Sequence, residues 1–393
     1  MADGSAEGDG RRVTAVLREG ERVTPLELFF DLVFVLSLTQ CTALMASDTS
    51  WKRLVEGLLV LGVLWWAWVG YAWLTSVVDP EEGAVRLAIF GAMAGFLVVA
   101  LCVPDAFGDL GLTFAIAYAL VRVAQLALLL LASRDAPEMA HSVWVGLVPS
   151  TAFGVGLLVV ASFVDGVAQL AVWGAALALD MLGPFLFGAE GWRLVPEHFA
   201  ERHGLVLIIA LGESIVAIGV GAEAGVDGGV ITAAVLGIVL AATMWWAYFD
   251  VVAIVAARKL GEAAVGREQN EIARDSYSFL HFPMVAGVVL VALGMKQTIA
   301  HVGDPLTAEA AFALVGGLAV YLLAHVGFRY RNVGSINWQR LALALLLLAA
   351  APLSDEPDAL VTLAVAAAAM VLLISYEVVH YASGREEIRH API

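Results

Sequence analysis

"TPLELFFDLVFVLSLTQ", residues 24–40, decides how this chain is read. It has the apolar content of a membrane span, yet Glu27 and Asp31 stand one helical turn apart near its start. An ionised carboxylate at the centre of a bilayer costs roughly 2.5–3.5 kcal/mol even on the mildest scale, so these two must be paired or lie where water reaches. Residues i and i+4 share a helix face, so both acids point the same way. At about 1.5 Å of rise per residue, Asp31 lies roughly 6 Å deeper than Glu27, and both belong to one end of the helix. Two uses stay open. They fasten helix ends to nearby basic residues, or they line a cytoplasmic vestibule for a cation or proton.

The rest of the chain makes the membrane reading general. Of 393 residues 61% are hydrophobic and only 15% charged, against about a quarter charged in a soluble domain. The net charge of −16 comes from unevenly placed acids, and no basic patch suggests nucleic acid. Cys41 and Cys102 both fall near or inside apolar runs, so no disulfide framework or CxxC metal site is expected. Residues 1–22 are polar and Gly-rich, without the apolar core of a signal peptide, and read as a disordered cytoplasmic tail.

A span needs about 20 apolar residues. Windows of that length give twelve, at 25–46, 54–78, 86–104, 111–132, 141–164, 167–188, 203–221, 229–257, 276–300, 308–330, 337–353 and 359–382. With the amino terminus inside, 17 of the 21 Lys and Arg residues fall in cytoplasmic segments and only Lys52 and Arg53 in outer loops. Arg122 lies inside a span and Lys296 near an outer helix end. That asymmetry fits the positive-inside rule and puts both termini in the cytoplasm of a plasma-membrane protein.

Two stretches look like copies. "FGAMAGFLVVAL" (90–101) aligns with "FPMVAGVVLVAL" (282–293), and "LWWAWVG" (64–70) with "MWWAYFD" (244–250). They fall in the second and third spans and again in the eighth and ninth. An even offset of six gives both halves the same orientation, so the expected fold is an all-α polytopic membrane protein with a parallel 6+6 repeat. The first six-helix unit covers 23–190, the second 191–384, and 385–393 form a short cytoplasmic tail.

Four ordered motifs resemble one family. They are "ELFFDLVFV" in the first span, "SVVDPEEGAVR" closing the Trp-rich second, "ERHGLVLIIALGESIVAIG" opening the second half, and "YSFLHFPMVAGVVLVALGMK" in the ninth. Together they resemble the bacterial low temperature requirement A (LtrA) family from about residue 22 to residue 350. The resemblance supports the fold and implies no settled substrate, since the family is named for a growth phenotype in the cold. The core "FFDLVFVLSLT" is also similar to the F-S-D-x-V-F first-helix motif of two-repeat, six-helix potassium channels. Here Phe30 replaces the serine, and Glu27 stands near the motif in place of a preceding arginine.

Polar residues within the spans are the candidates for chemistry. Glu213 in "ALGESIVAIG" falls about ten residues into the seventh span beside Gly212, and Arg122 lies mid-way along the fourth. Each is the expected partner of the other, either as a buried salt bridge or as a substrate-, ion- or proton-binding centre. Asp180, just before Pro184, either joins carbonyls freed by the proline in holding a cation or simply bonds a neighbouring helix. His281 and His325 read either as neutral core histidines or as a proton relay. Asp79 and Arg86 flank the short turn after the second span and are expected to form a structural ion pair. Glu377 and His380 read as interfacial.

Other features have plainer readings. Trp65, Trp66, Trp68, Trp73, Trp245 and Trp246 suggest helix packing or an interfacial belt more than an aromatic cage. "GAMAG" (91–95) suggests close helix crossing. "PEHFAERH" (196–203) has histidines five apart, off a common face, and no zinc site is expected there. No metal or cofactor is expected. The expected partners are the bilayer and an unidentified small solute or ion, with a second copy of the chain as a further candidate. A secondary transporter, with proton coupling as its sharper form, leads the functional readings. A cation channel lined by the first and seventh spans follows, and a membrane enzyme or sensor comes third.

Overall fold

The structure is a computed structural model that describes residue 18 and residues 22–81, 83–186, 191–222 and 225–390. Among these residues it is helical throughout, with no β-strand. Eleven helices are long and apolar enough to cross a membrane. They are α1 (Pro25–Ala46), α2 (Trp51–Val77), α3 (Gly83–Asp105), α4 (Gly111–Asp135), α5 (Pro137–Ala161), α6 (Gly166–Leu186), α7 (Pro196–Gly221), α8 (Gly228–Glu262), α9 (Arg267–Ala300), α10 (Ala308–Val333) and α12 (Ala359–His380). The segment expected as the eleventh span is a shorter apolar helix, α11 (Trp338–Leu353). It lies beside α12 from end to end: Arg340 pairs with Glu377 at one end, and Thr362 donates to the Ser354 carbonyl at the other. A short polar helix, α13 (Ala382–His390), occupies most of the expected carboxy-terminal tail. Arg385 and Arg389 hold it to Asp250. Most of the expected amino-terminal tail, and the proposed junction at 190, lie outside the described residues.

Local chemistry sets the helix starts. Pro25 occupies the first turn of α1, where its missing N–H costs nothing. Thr24 and Glu27 form a capping box: the Thr24 hydroxyl accepts from the Glu27 N–H, and the Glu27 carboxylate accepts from the Thr24 N–H. Asp227, Thr307 and Asn337 accept from backbone N–H groups at the starts of α8, α10 and α11. Gly334, at φ 69°, closes α10 in the left-handed conformation. α7 begins at Pro196, two turns before the expected boundary, because "PEHFAERH" is a continuous helix whose His198, Arg202 and His203 side chains are buried by neighbours.

α2 is the interior helix of the first half, and α9 and α10 are the interior helices of the second. α1 packs on α2 and α3 and also reaches across to α7 and α9, which makes it the seam between halves. Trp65, Trp66 and Trp68 of α2 point inward. Trp65 donates to the Ser278 carbonyl and Trp73 to the Ser278 hydroxyl, whereas Trp245 and Trp246 on α8 are exposed on the outer surface.

The aligned stretches stand in corresponding contacts. Gly95 on α3 faces Val121 of α4, and its aligned Gly287 on α9 faces Gly317 and Tyr321 of α10. Tyr118 on α4 donates to the Val63 carbonyl of α2, and Tyr321 on α10 donates to the Met244 carbonyl of α8. The GAMAG reading narrows to Gly95, since a side chain at Gly91 would meet only open space.

The tightest crossing is between α9 and α10. A Cβ at Gly287 would lie 2.7 Å from the Gly317 carbonyl oxygen and 2.8 Å from the Tyr321 nitrogen, which are backbone atoms that cannot swing aside. Gly287→Ala should therefore lower stability by about 1–3 kcal/mol. Thermal melting of the lipid-reconstituted protein checks this, with Gly91→Ala as the variant expected to melt like the parent.

Candidate functional site

Six carboxylates are buried among the described residues: Glu27, Asp31, Glu56, Asp180, Glu213 and Glu377. Because a lone charge in the membrane interior is costly, each one's partner indicates its use.

Glu27 and Asp31 are fastened at the seam between α1 and α7. Arg202 of α7 reaches Glu27 at 3.0 Å with one nitrogen and Asp31 at 2.8 Å with another. Arg18 and His198 add contacts to Glu27 at 3.2 and 2.8 Å, and the Trp68 indole donates to Asp31 at 2.8 Å. Arg202 also donates to the Thr75 hydroxyl, so α1, α2 and α7 meet on one guanidinium. Glu27 is 1% exposed and Asp31 fully enclosed. Of the two readings open for these acids, the geometry is that of a fastening network and not of an open vestibule.

Arg122 and Asp180 are partners. Their charged atoms lie 2.9 Å apart across α4 and α6, and Thr151 of α5 bonds both. Tyr118 donates to the second Asp180 oxygen. This corrects the expected Glu213–Arg122 pair. Of the two readings open for Asp180, a cation site or a bond to a neighbouring helix, the contacts are those of the second. Pro184 lacks the N–H that would bond the Asp180 carbonyl, and the Trp66 indole takes that place at 3.1 Å. Freed carbonyl and carboxylate are both occupied.

A third network holds the second half. Arg340 of α11 grips both oxygens of Glu377 on α12 at 2.9 and 2.8 Å and donates to the Ala247 carbonyl of α8. Arg122 likewise donates to the Trp66 carbonyl of α2, a position that aligns one residue from Ala247. Glu377, read from sequence as interfacial, is thus a buried ion-pair acid. His325 accepts from Arg340 at 2.9 Å through Nδ1. His281 donates from Nδ1 to the Ser276 carbonyl and accepts from the Tyr248 hydroxyl at Nε2. Neutral imidazoles satisfy both arrangements. His203 packs against His281 with ring centroids 5.3 Å apart. Asp79 and Arg86 are not joined: Asp79 accepts from the Glu81 N–H, and Arg86 is exposed on the first turn of α3. In "PEHFAERH", His198 serves Glu27, His203 bonds the Phe199 carbonyl, and Glu201 accepts from the Val23 N–H.

Glu213 differs from the other five. Glu56 is held by Lys52 and Arg53, so every other buried acid has a basic partner. Glu213 is 1% exposed, and its hydrogen-bond partner on α1 is the Thr39 hydroxyl, with Thr42 beside it. Lys296 acts on it through the field alone, and among the described residues no ion pair reaches it. It sits eight residues, roughly 12 Å, from the end of α7 at Gly221. That is further toward this end than a helix starting at 203 suggests. The adjacent Ser214 hydroxyl is buried without a partner.

Sequence reading missed Arg202, Arg340 and Thr39. The two arginines were counted as cytoplasmic basics, although each opens an apolar helix. Thr39 looked like an ordinary polar residue in a span.

These features define the class: a multi-pass α-helical membrane protein in which three inter-helix arginines, Arg122, Arg202 and Arg340, neutralise four of the six buried acids described. The profile of the bacterial low temperature requirement A protein (LtrA) matches residues 22–375, and the chain belongs to that family. An uncharacterized protein of Rhizobium meliloti (strain 1021) is 29% identical over 306 residues, which cover 75% of this chain and 74% of that protein. No solved structure matches the chain significantly.

Removing one member of a buried pair leaves an uncompensated charge, at a cost of about 3–5 kcal/mol. Arg122→Gln should therefore destabilise the protein by that order, and Asp180→Asn on the same background should recover much of the loss. A double-mutant cycle read by thermal melting in lipid tests this. Simple additivity would show that the two charges do not depend on each other.

Proposed function

We propose that the chain is a secondary transporter coupled to proton movement, with Glu213 as the carboxylate that takes up and releases the proton. One observation carries this reading. Glu213 is the one buried acid, among those described, whose neighbours are hydroxyls in place of a basic side chain. An acid locked to arginine stays charged and structural. An acid bonded to threonine can change protonation without breaking an ion pair.

Its position supports the same use. Glu213 and Thr39 face each other across α1 and α7, the opening helices of the two halves. In transporters built from repeats, binding sites sit at the repeat interface. The recurring Gly95/Gly287 and Tyr118/Tyr321 contacts support a duplication of six helices, with α11 completing twelve crossings. An even count and the distribution of basic residues favour both termini in the cytoplasm of the plasma membrane. Glu27, Asp31 and Arg202 then act as a latch between halves, not as the entrance.

A cation channel along the same seam is the second reading, favoured by the hydroxyl and carboxylate oxygens of Thr39, Thr42 and Glu213. Flux into proteoliposomes carrying an internal pH dye, under imposed K⁺, Na⁺ and proton gradients, separates the two. The transporter reading expects slow proton movement that depends on an added solute, and its loss in Glu213→Gln with folding and melting retained. Fast, voltage-driven cation flux without proton movement would establish the channel. Undiminished flux in Glu213→Gln would remove Glu213 from either mechanism.

A further inference from the structure

A partly open pocket lies in the first half, between α2, α4, α5 and α6 and the start of α9. It is separate from the Glu213 seam. Trp66, Trp73 and Trp192 form much of its wall. Among the described residues the charged side chains that line it are Arg122 and Arg274, and no described carboxylate does. Asp180 and Asp275 stand behind these arginines, already engaged. Asp275 is shared with a second arginine, Arg331, so the region around the cavity carries an excess of positive charge.

Two buried polar atoms here lack partners. One is Arg122 Nε, a donor, and the other is the side-chain oxygen of Gln125, which is 2% exposed. Gln125 is pressed against Gly70, where an added Cβ would lie 2.2 Å from the amide nitrogen, so the backbone of α2 leaves room for this amide. Two π-helical segments border the space. Val143–Leu147 supplies Leu147, and Ala273–Phe279 supplies Arg274 and Ser278. Such segments often mark functional positions within α-helices. At the edge, Arg274 is fixed by Asp275, by the Pro184 carbonyl and by the Phe185 ring, 4.5 Å from its guanidinium carbon.

The matching place in the second half is apolar. Tyr118, Arg122 and Gln125 on α4 correspond in spacing to Tyr321, His325 and Phe328 on α10. Phe328 is 1% exposed and packs on His281 and Tyr277 with centroids 5.0 and 5.7 Å apart. Where one half has an amide beside a tryptophan-walled pocket, the other has a ring that borders a separate pocket between α8 and α10.

We infer that this cavity is a binding site for a small monocarboxylate with a flat apolar body, held between the tryptophans with its carboxylate toward Arg122 Nε and Arg274. Arginine donors and carboxylates match in charge and geometry, and an aromatic body suits tryptophan walls. The Gln125 side-chain oxygen, left without a partner, accepts from a donor group elsewhere on the ligand. Binding here requires no transport through Glu213.

Quenching of tryptophan fluorescence in lipid nanodiscs by 4-nitrobenzoate tests the site, with 4-nitrobenzyl alcohol and 4-nitrobenzylammonium as uncharged and cationic matches and empty nanodiscs subtracted. Saturable quenching should be about tenfold tighter for the carboxylate than for the alcohol, as one charge-assisted bond provides. Gln125→Phe, which copies the second half, should abolish the saturable component. Arg274→Gln should weaken it about tenfold, and it decides the matter if Gln125→Phe fails to fold. Displacement by dodecanoate would identify the carboxylate's source as the bilayer, and displacement by benzoate alone would identify a soluble acid. Equal affinity for the three probes, preference for the ammonium, or unchanged binding in a folded Gln125→Phe variant would overturn the assignment.

Discussion

Arg202 carries the joint on which the rest of the molecule depends. Its guanidinium bonds Glu27 and Asp31 of α1 and Thr75 of α2 from a helix of the other half. Water cannot neutralise an acid enclosed within helices, so the neutralising charge must come from protein, and here it comes from across the seam. Glu27 also caps α1 through Thr24, which couples the start of that helix to the joint. Replacing such a network by apolar residues can be energetically neutral, so its value here is positional: it sets which turn of α1 meets which turn of α7. Farther along the same two helices, that register brings Thr39 opposite Glu213.

The other two arginine networks have a parallel logic inside each half. Arg122 gathers α4, α5 and α6 around Asp180, and Arg340 gathers α11 and α12 around Glu377. Each arginine also donates to a backbone carbonyl of the Trp-rich helix, α2 or α8. Bidentate, permanently charged guanidinium suits this work better than lysine, because its fork satisfies two acceptors at once. With the structural charges balanced in this way, the acid at Glu213 stands out by its surroundings. Its hydrogen-bond partner is a hydroxyl, and no ion pair among the described residues fastens it.

Much of the architecture was legible in the chain. Apolar length found eleven of the spans, and the aligned Trp-Trp-Ala and Ala-Gly stretches lie on α2 and α3 and on α8 and α9. The family was legible too, because its motifs are long and ordered. Pairing was not. Arg122 was matched to Glu213 because both lie deep in their helices, but depth says nothing about which helices touch. Asp180 lies 58 residues from Arg122 along the chain, and only the packing of α4 on α5 and α6 makes them neighbours. The start of α7 is hidden in the sequence because His198 and Arg202 look like loop residues until Glu27 and Asp31 pair with them. α11 was read as a full span from its composition, and its short length follows from the cap at Asn337 and the turn at Ala351–Leu353.

The central claim is that Glu213 alone, among the buried acids described, changes protonation while the others stay bound to their basic partners. Infrared difference spectroscopy of the reconstituted protein across a pH step measures this directly, through the carbonyl stretch of a newly protonated carboxyl. The account predicts one such band, absent in Glu213→Gln and unchanged in a folded Gln125→Leu control. A band that persists in Glu213→Gln, or no band in the parent protein at any pH at which it stays folded, would contradict it.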